Sequence, residues 1–230
     1  MIRRILFIIY QRIYTLFRSI RNDQFSHVLM FHNISNENND ITISKENFYK
    51  LITKLNEEKR ICKIEDLKYQ SISKSVVITF DDVFQSVYVN AYPLLKRLQV
   101  PYLLFLNIKM LDKDNYLTTE QIKEMLSDSN CILGSHSINH IFMRNISEEK
   151  LQLELLNSKK FLEKKFDVIC TSFAFPYGSL YACSKKNIIQ ASKIYDYVFT
   201  TINMSFDGDF HNIPRINVNN NCKFLKEMIK

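Results

Sequence analysis

Val76-Val77-Ile78-Thr79-Phe80-Asp81-Asp82 joins an unbroken apolar run to two adjacent carboxylates. A continuous run of this kind predicts a strand buried on both faces, as in parallel sheets and barrels. In such folds chemistry gathers where the strands end, at their C-terminal edge. Two neighbouring Asp at that edge repel each other unless a cation or a shared proton relieves the charge. A metal ion is the natural candidate, and it needs further ligands.

A second apolar run, Cys131-Ile132-Leu133, leads into Gly134-Ser135-His136-Ser137-Ile138-Asn139-His140. The spacing of His136 and His140 predicts both imidazoles on one side of a helical turn. Two His and a carboxylate are a common set for zinc or a similar catalytic ion with a position left open to water. Each feature also has a plain structural reading. Asp82 is suited to cap a helix starting near Phe84, and the histidines to sit as polar loop residues.

Thr79-Phe80-Asp81-Asp82 and His136-Ser137-Ile138-Asn139-His140 resemble the first two motifs of the polysaccharide deacetylase family, the NodB-homology carbohydrate esterases. Phe173-Ala174-Phe175-Pro176-Tyr177-Gly178 resembles the third. The resemblance runs from about residue 27 to about residue 218. It implies a distorted (β/α) barrel, a bound divalent metal, most simply zinc, and hydrolysis of N-acetyl groups on amino sugars.

The resemblance also implies residue roles. Asp82, His136 and His140 would hold the metal, which activates water and polarises the carbonyl. Asp81 would be the general base, and the backbone N–H of Tyr177 would meet the oxyanion. The chain departs from the commonest pattern in two places. It lacks the third-motif Arg that orients the catalytic Asp, near Ser172 and Phe175; Arg215 either supplies that guanidinium or is a surface residue on an edge strand. It also lacks the C-terminal Leu-x-His that carries the general acid. In this the chain is similar to poly-N-acetylglucosamine deacetylases, whose acid His comes from the first strand, in a motif that Phe31-His32 resembles. Of the five His, two are assigned to metal, and His27 begins a strand and should face the far end. That leaves His32 ahead of His211, and a neighbouring carboxylate is expected to raise its pKa.

The 230 residues suit one domain. Hydrophobic content of 46% and charged content of 24% are ordinary for a globular chain, and 3 Gly with 4 Pro argue against long linkers. Five scattered Cys without a C-x-x-C fit a reducing compartment better than a disulfide framework. The net charge of +7 suits an anionic membrane surface or an acidic glycan. No helix-turn-helix, RNP or zinc-finger pattern points to nucleic acid.

Along the chain, residues 1–21 place apolar side chains at helical spacing between Arg3, Arg4, Arg12 and Arg18. The unbroken apolar stretch is too short to span a bilayer. An amphipathic helix over residues 1–22 on the inner membrane surface is expected, with docking on the barrel or on a partner as the alternative. Residues 23–230 form the deacetylase-like domain. Strands are expected at 27–31, 61–64, 76–82, 101–106, 131–135, 171–175 and 197–201, with an extended piece at 213–218. Helices are expected at 44–59, 84–98, 118–126, 148–165, 184–194 and 222–229. This alternation is the signature of parallel β/α architecture.

The resulting expectation is a metal-dependent N-deacetylase acting on a bacterial surface polysaccharide or its precursor, cytoplasmic and peripheral at the inner face of the membrane. Its partner would be an N-acetylated glycan; the oligomeric state is open. De-O-acetylation or hydrolysis of a non-sugar amide would use the same fold. A catalytically silent glycan-binding or membrane-docking protein is the alternative from another class.

Overall fold

In the computed structural model, which describes residues 26–37, 39–68, 74–179 and 181–229, the run Val76–Asp81 is a strand with every residue buried. The helix expected over residues 1–22 lies outside the described residues. Seven parallel strands form the main sheet: β1 (His27–Phe31), β4 (Val76–Asp81), β5 (Tyr102–Leu106), β6 (Cys131–Ser135), β7 (Ser172–Ala174), β8 (Tyr197–Phe199) and β9 (Ile216–Asn217). Their order is β8-β7-β6-β5-β4-β1-β9. The two short strands between β1 and β4, β2 (Asn33–Ile34) and β3 (Thr42–Ile43), pair with each other in a separate sheet.

The sheet curls, and the segment that ends in β9 bridges its two edges. The Ile213 N–H donates to Val198 O at 2.8 Å, and its carbonyl accepts from Thr200 N at 2.9 Å, on the β8 side. A few residues later the Val218 N–H donates to Met30 O at 2.9 Å, on the β1 side. Arg215 lies within this bridge. The architecture is the distorted parallel α/β barrel that the alternation of strands and helices predicts.

Side chains alternate across each strand. Leu29, Phe31, Val76, Ile78, Phe80, Leu104 and Leu133 face out, into the main core beneath the helices. Val28, Val77, Leu103, Phe105, Ala174 and Phe199 face in and fill the barrel together with Ile213. The near-continuous apolar strands follow from this: both faces are dry, so both must be hydrophobic.

The helices are α1 (Lys45–Glu57), α2 (Tyr92–Leu98), α3 (Thr119–Leu126), α4 (Glu148–Phe166), α5 (Lys185–Ser192) and α6 (Lys223–Met228). Ser44, Thr118, Ser147 and Ser184 cap α1, α3, α4 and α5, each accepting a backbone N–H three residues on. At α3 both halves of the Thr118/Gln121 capping box form.

Two elements differ from expectation. Residues 61–64 do not form a strand: Ile61 makes one bridge to Val76, and Asp66 then accepts from the Lys63 N–H at 3.0 Å, which turns the chain into a short 3-10 helix. The helix expected from Phe84 winds as a π-helix over Val87–Ala91 before α2 begins. Pro93 in the first turn of α2 has no N–H to give to the preceding turn, and the wider winding occurs at that break.

Candidate active site

The alternation of side chains decides which groups meet at the strand ends. Extending the inward set of each strand by one step gives Asp81 on β4, His32 after β1, Asn107 after β5 and His136 after β6. These converge at the C-terminal mouth of the barrel.

Asp81 is 2% exposed and is gripped at both oxygens by Arg215, with Nη1–Oδ1 at 2.6 Å and Nη2–Oδ2 at 2.7 Å. Arg215 is fully buried. It donates Nε to Thr200 O at 3.1 Å and Nη1 to Thr79 Oγ1 at 3.3 Å. Its guanidinium lies over the rings of Phe105 and Phe199, 5.4 and 5.8 Å from their centroids. Arg215 is therefore no surface residue on an edge strand; it is the orienting cation of Asp81, reached from the closing segment rather than from the third motif. Burial alone would push the Asp81 carboxyl up, but the charge of Arg215, aided by His136, outweighs it and brings the pKa down to about 2.

Asp82 turns the chain. It and Val83 adopt left-handed backbone conformations, φ 59° and 53°, and this brings the Asp82 side chain, of outward parity, back over the mouth. Its Oδ1 accepts from Asn107 Nδ2 at 3.1 Å and lies 3.3 Å from His140 Nε2. It is thus engaged across the mouth, not as a helix cap.

His136 and His140 do not share a helical turn. They sit in an irregular loop in which Ser137 and His140 have φ of 66° and 52°. Helix is excluded by those left-handed residues, yet the loop brings the rings to 4.9 Å between centroids. The His136 ring is 2% exposed and its Nδ1 donates to Ala174 O at 2.8 Å. That bond selects the tautomer with a lone pair on Nε2, which points toward the carboxylates, 3.7 Å from Asp81 Oδ2.

One ligand atom from each of Asp82, His136 and His140 lies within 4.8 Å of the other two. The 3.3 Å between His140 Nε2 and Asp82 Oδ1 is the spacing of two ligands each about 2 Å from one tetrahedral ion. The donor set, the tautomer of His136 and the anchoring of Asp82 all fit a divalent metal of the zinc type.

His32 has a buried Nδ1 without a hydrogen-bond partner. Burial lowers its pKa, against the opposing charges of Asp81 and Asp82. The carboxylates alone would raise it, as the sequence suggests; loss of water around the ring is the larger effect, and the neutral form is favoured. His211 is exposed, with its N–H on Asp209 Oδ1 at 2.9 Å. The loop that carries it runs along the start of β1, where the Phe206 N–H meets Ser26 O at 2.9 Å, so it does not fold into the mouth.

Tyr177 has φ 60°, and its half-exposed ring packs on His140 with centroids 4.9 Å apart. Among the described residues nothing accepts its backbone N–H. The turn is locked by Gly178, whose φ is 45° and whose carbonyl accepts from Thr201 N at 2.7 Å. A Cβ on Gly178 would collide with Thr201.

The sequence reading passed over Asn107. Its signal was present: a polar residue one step beyond a buried strand, with inward parity. Asn107 is 4% exposed, and its position across the mouth from Asp82 required the register of β4 and β5.

Comparison with known proteins gives the following. The polysaccharide deacetylase family profile matches residues 68–199. The chain is 30% identical over 162 residues to YxkH of Bacillus subtilis, covering 66% of this chain and 56% of that protein. It is 27% identical over 179 residues to the poly-β-1,6-N-acetyl-D-glucosamine N-deacetylase of Staphylococcus epidermidis, covering 69% of this chain and 61% of that protein. The chain therefore spans little more than half the length of these two relatives. The fold matches that of the Streptococcus pyogenes deacetylase PplD, solved in complex with acetate, with a TM-score of 0.79 at 21% identity, over 90% of this chain and 98% of that one.

Proposed function

This chain belongs to the polysaccharide deacetylase family, and on that premise we propose that it is a metal-dependent hydrolase that removes the N-acetyl group from an amino sugar of a bacterial surface polysaccharide or its precursor. The observation that carries this is the convergence of Asp82, His136 and His140 beside an Asp81 clamped by a buried Arg215. A silent binding protein has no use for a buried carboxylate held ionised beside three convergent ligand groups.

A divalent ion, zinc by donor type, would be held by Asp82, His136 and His140; when bound it supplies Lewis acidity and makes a water more acidic. The chain's own groups do the rest. Asp81, kept ionised by Arg215, takes the proton from the attacking water. The Tyr177 N–H donates to the oxyanion that forms on the acetamide carbon. His32, neutral at rest and at the strand end facing both carboxylates, takes up the proton that Asp81 removes from the water and passes it to the departing amine. Asn107 keeps Asp82 turned toward the ion. The ring of Tyr177 limits the movement of His140.

Metal analysis of the purified protein and of Asp82→Ala and His136→Ala tests the ligand set: both variants should lose stoichiometric metal, and full metal in both refutes it. Mass spectrometry of N-acetylated glycans and lipid-linked or nucleotide-linked precursors, incubated with metal-loaded protein, should show loss of acetyl groups.

The basic amphipathic pattern of residues 1–21 supports a peripheral seat on the cytoplasmic face of the membrane. Among the described residues no helix is long and apolar enough to cross a bilayer. Cosedimentation with anionic vesicles at low salt checks this; a full chain that stays in the supernatant counts against it.

A further inference from the structure

Glu154 lies on α4 with 3% exposure, on the same apolar face as Leu151, Leu155 and Leu162. A carboxylate there is costly unless its acceptor positions are filled. They are filled by the histidine loop. Oε2 accepts the backbone N–H of Ile138 at 3.0 Å and of Asn139 at 3.1 Å, and Oε1 accepts Asn139 Nδ2 at 2.7 Å. All three donors lie between His136 and His140.

One turn further along α4, Ser158 ties down the start of the same loop. Ser135 Oγ donates to Ser158 Oγ at 2.8 Å and accepts the Ser137 N–H at 3.2 Å. On its other side the loop is held by the Lys109 N–H, which donates to Ile138 O at 2.9 Å. The loop needs such anchors. Ser137 and His140 are left-handed without being Gly, a strained conformation that persists only where the surroundings impose it.

We propose that Glu154 is a positioning residue for the metal centre: its carboxylate fixes the backbone at 138–139 and so sets the His140 ring against His136 and Asp82. The assignment rests on the metal-site reading above. Glu154 itself touches neither ring; it acts through the loop.

The test uses the full chain and Co²⁺, whose visible absorption reports ligand number and geometry and whose affinity is read by chelator competition. Glu154→Leu keeps the helix face apolar and leaves the Ile138 and Asn139 N–H groups without their acceptor. It should weaken Co²⁺ binding by about 10- to 100-fold and alter the spectrum. Glu154→Met, closer in length, takes its place if the leucine variant does not fold. Glu154→Gln should stay within a few-fold of wild type: its amide oxygen accepts both backbone N–H groups, and a flip of the Asn139 amide restores the third bond. A purely structural role would lower the thermal midpoint of the metal-free variants without this ordering of affinities. Equal affinity in all variants, or a loss in Glu154→Gln as large as in Glu154→Leu, overturns the assignment while leaving the metal site in place. A wild-type protein that binds no Co²⁺ overturns the metal-site reading and this assignment with it.

Discussion

Asp81 and Asp82 are neighbours in sequence with opposite tasks in space. One faces into the barrel, bound to Arg215; the other is swung outward and back by two left-handed residues. Asp81→Asn is nearly isosteric and should keep the metal ligands in place, at a stability cost for the Arg215 charge left without its counterion, while losing about 10²–10⁴-fold in turnover, as expected for loss of a general base; single-turnover rates on the folded variant check this, and near-wild-type turnover removes Asp81 from the reaction. Removing Arg215 acts differently. Arg215→Met leaves Asp81 buried without its partner, which should cost about 3–5 kcal/mol of stability, read by denaturant unfolding. His32→Ala should retain metal and lose most amide hydrolysis, but lose less on an activated ester whose leaving group needs no proton. Equal loss on both substrates, or a large loss in His211→Ala, would move the acid elsewhere.

At the scale of the element, the site is made of strand ends and the turns that follow them. Of the described non-Gly residues with positive φ, Asp82, Val83, Ser137, His140 and Tyr177 all lie in these turns. At these five positions the scaffold imposes a strained backbone where side chains must be aimed; Lys59, Lys74, Gln99, Asp112, Asn115 and Asp167 carry the same conformation elsewhere. The third-motif turn depends on Gly178, whose φ of 45° brings its carbonyl to the Thr201 N–H. Gly178→Ala should lower stability by about 1–2 kcal/mol for the left-handed conformation alone, with more for the collision with Thr201. Because the shift displaces the Tyr177 N–H, turnover should fall more than metal content; metal analysis beside kinetics separates the two.

For the whole molecule, the two ends of the barrel are chemically distinct. The mouth holds the site's charged groups; at the strand-start end His27 faces outward, edge-on to Phe224 at 5.3 Å. Burial, with a smaller contribution from the charge of Arg60, lowers the His27 pKa from 6.5 to about 4. The unfolded chain then binds a proton between those values that the folded chain does not. Stability contributed by neutral His27 is complete above about pH 6.5 and is lost as pH falls toward 4, by an amount of order 3 kcal/mol. His27→Phe should keep the packing and flatten that limb. Urea titrations of both proteins from pH 7 to 4 measure the difference, and parallel profiles would show that His27 does not titrate on unfolding.

What the sequence determined by itself is what depends on local chemistry. The apolar run ending in Asp81-Asp82 specified a buried parallel strand because a strand dry on both faces must be apolar throughout. The caps at Ser44, Thr118, Ser147 and Ser184 were legible because each acts within one turn. The family was legible because the types and order of the motif residues carry the resemblance. What only the tertiary structure decided depends on groups distant in the chain. Arg215 reaches Asp81 because a late segment closes the barrel between its edges. Asn107 meets Asp82 through the register of β4 and β5. The histidine loop is not helical because left-handed residues shape it and Glu154 of α4 holds it. The lowered pKa of His32 followed from burial, a property of the packed barrel that the neighbouring carboxylates alone do not predict.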